Sequence, residues 1–178
     1  MGQPEGPPVL RAPMRSRLDE VDAAAAVDRA LALGLCGVGP RLSQTPGDLP
    51  EACALVAEQH DERMVRRLER FAAEPSGAFV WTRSGEGLFA VGRLTGPWRY
   101  DASTDAHALD LVHVRDCAWA DALLPAAQTP AAVLATFARG GRNLQRMHDG
   151  EVAAASARVY EAPEWRGGRR RIATGSSR

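Results

Sequence analysis

The chain has 178 residues, 45% of them apolar and 25% charged, and its 22 basic residues, all arginine, balance 22 acids. That length suits one domain with a sizeable core and leaves little room for a second. No apolar run approaches the roughly 18 residues that cross a bilayer, and the opening MGQPEGPPVL has neither the basic nor the apolar region of a secretory signal, so a cytoplasmic protein without a membrane partner is expected.

Residues 1–14, rich in glycine and proline, read as a flexible arm. Residues 15–165 read as a single domain, and 166–178 as a basic flexible tail. Ser16 followed by Asp19 resembles a capping box, with Leu18, Val21, Ala25 and Leu31 at helical spacing up to Gly34, which predicts a helix over 17–33. The apolar LCGVG that follows suits a buried strand. The proline-rich stretch 40–50 reads as a loop, and Leu55, His60, Met64, Leu68 and Phe71 mark the stripe of one amphipathic helix over 49–73. AFVWTR, SGEG and LFAVGRL spell a hairpin. Residues 102–108 read as a loop, and 109–119 as the longest strand, with His113, Arg115, Cys117 and Trp119 on one side. Thr129-Pro130 starts a helix over 131–138 that Gly140-Gly141 stops. A short strand or turn over 144–147 and an alanine-rich helix over 151–160 complete an α+β fold, a curled, barrel-like sheet with helices outside it.

Two stretches carry the candidate chemistry. In LFAVGRLTGPWRYD the strand breaks at Thr95-Gly96-Pro97 and presents Trp98 and Tyr100, two residues apart, with Arg93 and Arg99 beside them. Such rings could wall a pocket for a flat base, since stacking on an aromatic returns about 1–3 kcal/mol per base. In FARGGRNLQRMH a Gly-Gly turn lies between Arg139 and Arg142, followed by Asn143 and Arg146. The amides of Gly140 and Gly141 could cradle a phosphate that the guanidiniums grip. Residues 139–178 hold nine arginines against four acids, whereas residues 1–138 hold thirteen against eighteen, so the footprint for phosphates is expected in the C-terminal quarter. Asp101 and Asp110 could accept a hydrogen bond from a base amino group, and His113 and Arg115 could point into the pocket mouth. Cysteines at 36, 53 and 117 without a CxxC pair, and histidines without HExxH spacing, predict no metal site and no cofactor.

GAFVWTR, LFAVGRLTGPWRYD, DLVHVRDCAW and TPAAVLATFARGGRNLQRMHD, taken in succession, resemble the EVE and YTH-like branch of the PUA superfamily. The likeness is to the modified-base-reading modules at the front of Mcr-type methyl-directed restriction enzymes. It spans about residues 34–160, with GRLTGPWRYD and FARGGRN its most specific pieces. The resemblance implies a small PUA-like β-barrel flanked by helices. It also implies non-catalytic binding of a modified, flipped base of DNA or RNA, with Trp81, Trp98 and Tyr100 as pocket walls. The tryptophan that YTH readers carry after their first strand has no counterpart in LCGVGPRL. No nuclease, ATPase or helicase signature is attached, so any effector would be a separate protein. Two other readings stay open: a nuclease or nucleotide hydrolase using His113 with Asp110 or Asp116, and a protein-interaction subunit.

Overall fold

The structure, a computed structural model, describes residues 6–162; the proposed basic tail and the first five residues of the arm lie outside them. The rest of the arm is not loose. Val9–Arg11 form β1, which runs parallel to β3 (Phe79–Arg83) and antiparallel to β7 (Gln145–Met147). Three residues with Val9 and Leu10 at its start give this strand little sequence signal, and its partners lie far along the chain.

The sheet continues from β3 through β4 (Phe89–Leu94) and β6 (His113–Trp119) to β2 (Leu35–Val38), in the order β2-β6-β4-β3-β1-β7, with β5 (Arg99–Tyr100) on β6. Among the described residues it is a curled, open sheet, because β2 and β7 at its two ends each pair on one side only. The β3–β4 hairpin matches the sequence reading. Alternation along it separates two cores: Val9, Phe79 and Trp81 face one way and Leu10 and Val80 the other. The first face is covered by α5 (Ala131–Ala138) and α6 (Val152–Glu161), through Val133 and Val152. The second is covered by α1 (Ala23–Leu33), through Val27 and Ala30, together with Phe71.

Four helix expectations need correction. Helix α1 begins at Ala23, not residue 17, because Asp22 caps it by accepting from the Ala25 amide at 3.1 Å, while Ser16 is engaged elsewhere. The stretch 49–73 is two helices, α2 (Leu49–Gln59) and α3 (Glu62–Ala73). The break comes at Asp61, whose extended backbone and carboxylate, accepting from the Met64 amide at 2.9 Å, start a new helix. Ala52, Leu55, Val56, Val65 and Leu68 then pack α2 and α3 on each other. Residues Thr104–Ala108 form a short helix, α4, capped by Ser103, where a loop is expected. Helix α5 has the expected bounds, but Thr129 does not cap it: its hydroxyl donates to the Pro125 carbonyl. Strand β6 is shorter than expected, starting at His113, because Asp110 takes φ +50 and breaks the run.

Candidate functional site

The rings and cations singled out in the sequence do not form one pocket. Trp81 is fully buried, and its indole N–H donates to Ser156 Oγ at 2.9 Å on α6. It is core, because its side of β3 is covered by that helix. Arg115, 3% exposed, donates to the carbonyls of Gly96, Phe71 and Glu74. It thereby neutralises the end of α3 and ties that helix to the Gly96 turn. Asp101 accepts from Arg29 at 2.9 Å and from the Ser103 amide at 3.0 Å. Although partial burial works against it, the Ser103 bonds and Arg29 hold this carboxyl below its usual range. Arg93 donates to the Gly77 carbonyl and lies over the Phe79 ring, and Arg99 pairs with Asp116 at 2.7 Å.

Trp98, Tyr100 and His113 do meet, as a closed cluster. The half-buried Trp98 stacks on His113 and donates from its indole N–H to His113 Nδ1 at 3.3 Å. Nε2 of His113 lies 3.0 Å from the Pro40 carbonyl. An indole only donates and a carbonyl only accepts, so the ring is neutral with its proton on Nε2. Burial pushes its pKa down to about 4. Tyr100 packs edge-on against His113, accepts from the Leu42 amide at 3.0 Å, and meets His107 Nε2 at the same distance.

What this cluster grips is the wall of a cavity. Pro40, Arg41 and Leu42 are held one after another: Pro40 by His113, the Arg41 amide by Asp110 Oδ1 at 2.7 Å, and Leu42 by Tyr100. Pro40 and Arg41 line a cavity of about 550 Å³, within the 300–1,000 Å³ range usual for ligand sites. Its other sides are the segment leaving β1, the junction of α2 and α3, and Arg142–Leu144. The walls are mainly aliphatic, with Met14, Val38, Met64, Leu111 and Leu144 among them; His60 is the one aromatic ring among the lining residues, which include no Phe, Tyr or Trp. The aromatic-walled pocket is therefore corrected to an aliphatic one whose wall is braced from behind by rings.

Five arginines border the cavity: Arg15, Arg17, Arg41, Arg67 and Arg142. Arg142 donates to the Arg17 carbonyl at 2.9 Å and pairs with Asp19 at 2.8 Å. Arg17 and Arg41 have only long ion pairs, with Asp61 at 3.9 Å and Glu20 at 3.8 Å, and Arg41 also donates to the His107 carbonyl at 3.0 Å. Neither Arg15 nor Arg67 forms a salt bridge among the described residues. Burial first, then the nearby cations Arg17 and Arg63, lower the pKa of Arg67. Cations gathered against their mutual repulsion favour an anionic guest. Met14 and Asp110 are the non-glycine residues with positive φ among those described, both at φ +50, and both line the cavity. Such backbone costs of order 1–3 kcal/mol each and tends to collect at functional sites.

Of the predicted phosphate residues, Arg142 and Asn143 reach this cavity. Gly140 and Gly141 form no phosphate nest. The Gly140 amide bonds to the Phe137 carbonyl, and its own carbonyl accepts from Arg11, a buried residue that also donates to Thr136 and Asn143 carbonyls. The turn is thus a helix end clasped from beneath. Arg139 bonds to Thr136, and Arg146 pairs with Glu74 at 2.8 Å, both away from the cavity lining. Sequence reading missed Arg15, Arg17, Arg41 and Arg67. A signal was present in RAPMRSR (11–17), which carries three arginines inside the stretch read as arm and helix start. Comparison of the chain with protein-family models and with curated proteins returns no match.

Proposed function

We propose that this chain is a non-catalytic nucleic-acid-binding module of PUA-like kind, taking one extruded base into the cavity and its flanking phosphates onto the surrounding arginines. The observation that carries this reading is an aliphatic-walled cavity of about 550 Å³ bordered by five arginines. Flipped bases are held between apolar as well as aromatic side chains, so Met14, Met64 and Leu144 can cover the faces of a ring. Guanidiniums suit phosphate oxygens because they donate two parallel bonds. The resemblance in the sequence favours a modified base. His113 gives no support to a hydrolase, since both ring nitrogens are engaged and it stays neutral.

The test is fluorescence anisotropy with short labelled DNA and RNA strands, plain and methylated, at low and moderate salt. The expected result is binding that weakens as salt rises, and that weakens at least about tenfold in Arg15→Gln/Arg67→Gln, the loss of two charge-assisted contacts. Absence of salt-sensitive binding to every strand overturns the reading.

A further inference from the structure

The arginines address charge and the aliphatic walls address a flat ring, but neither distinguishes one base from another. A third kind of group in the cavity can. Asp110 is a lining residue, 6% exposed and held in left-handed backbone. Its Oδ1 accepts from the Arg41 amide at 2.7 Å and its Oδ2 from the Ser16 hydroxyl at 2.5 Å. Ser16 also accepts from the Leu18 amide, and its own proton goes to Asp110, since the carboxylate oxygen only accepts.

The carboxylate lies flat against the Cα of Gly39. A side chain there would sit 2.8 and 2.9 Å from its two oxygens, so only glycine leaves the room. An ionised carboxylate offers about four lone-pair sites, and these two bonds use one on each oxygen. By that count one acceptor per oxygen remains on a residue that lines the cavity.

We infer that Asp110 makes the cavity selective for a ring edge bearing two adjacent N–H donors, the guanine type, in which a lactam N–H stands beside an amino group. This inference rests on the cavity being the base site proposed above. Two parallel donors satisfy the two free acceptors as an arginine fork satisfies a carboxylate. Edges that mix a donor with an acceptor, as in adenine, cytosine, thymine and uracil, leave one carboxylate oxygen facing another lone pair. Gln59, also a lining residue, spends its carbonyl oxygen on the Ser43 amide at 3.0 Å. Its amide nitrogen is the donor that a lactam carbonyl requires.

Labelled strands identical except at one central position, carrying guanine, hypoxanthine or thymine, test the inference on the unaltered protein. Hypoxanthine differs from guanine only by the missing amino group. The expected result is guanine preferred over hypoxanthine by at least about tenfold, the effect of one hydrogen bond to a charged acceptor. In Asp110→Asn, which keeps the shape but replaces one acceptor by a donor, the preference should fall below about threefold. Equal, salt-sensitive binding of all three strands overturns the guanine inference and leaves the nucleic-acid reading standing, as does an undiminished preference in Asp110→Asn. No binding to any strand overturns both.

Discussion

His113 is held between partners of fixed polarity, an indole donor and a carbonyl acceptor, so it has no place for a second proton. The consequence is measurable. Unfolded, the ring titrates near 6.5; folded, near 4. As pH falls through that window the unfolded chain takes up a proton that the native ring refuses. Stability contributed by the neutral ring is therefore complete above about pH 6.5 and falls by about 3 kcal/mol on the way to pH 4. Urea unfolding of the native protein and His113→Gln at intervals between pH 7 and 4 checks this. The variant should be less stable at pH 7 and lose stability more shallowly on acidification; parallel curves would contradict the assignment. Residue types were legible here and their roles were not. Trp81, Trp98, Tyr100 and His113 stand out by chemistry, but an alternating strand says which residues share a side without saying what covers each side. Helix α6 buries Trp81, and the chain from 40 to 42 occupies the acceptor of Tyr100 and the donor of His113.

At the scale of elements, punctuation residues were the reliable guide and continuous stripes were not. Pro130 and Gly140-Gly141 bound α5, the glycines at the helix end as expected and the proline at the N-cap rather than at the first helical position. The break between α2 and α3 was hidden because Leu55, His60, Met64, Leu68 and Phe71 keep helical spacing across it. The non-helical backbone of His60 and Asp61 interrupts the pattern. The two glycines after α5 differ in what they tolerate. Gly140, at φ +71, has nothing within 4 Å of the place a Cβ would take, whereas Gly141, at φ +109, has the Arg11 guanidinium at 2.8 Å. Gly140→Ala should cost only the left-handed backbone penalty, about 1 kcal/mol. Gly141→Ala should cost more, about 2 kcal/mol or above, because it also dislodges a buried cation. Thermal melts of the two variants give the comparison, and a reversed order would mean that Arg11 is not the clasp.

Across the whole molecule, the feature least legible in the sequence is the basic border of the cavity. Counting charge along the chain directs attention to residues after 139, yet four of the five bordering arginines precede residue 68, in a portion whose sum is acidic. Folding assembles them from separate segments, and no linear count registers that. If these arginines hold phosphates, the logarithm of affinity for a single strand falls with the logarithm of salt by about 0.7 per phosphate neutralised. A slope of about −2 to −3.5 is then expected for three to five contacts, shallower by about 0.7 in Arg67→Gln. A slope that Arg67→Gln leaves unchanged would remove that residue from the contact set.

The position of β1 in the sheet bears on how the polypeptide is made. Val9 aligns with Phe79 on one flank and with Met147 on the other. A ribosome releases Val9–Arg11 early, long before either neighbour exists, and the second is complete only when Met147 has emerged. The earliest ladder segment to leave the exit tunnel is therefore among the last to be seated. Closing such distant pairings is slow and leaves apolar edges open meanwhile, so a nascent chain halted with α5 and β7 still inside the tunnel would hold a half-zipped sheet, with Arg11 still lacking the Thr136, Gly140 and Asn143 carbonyls it binds.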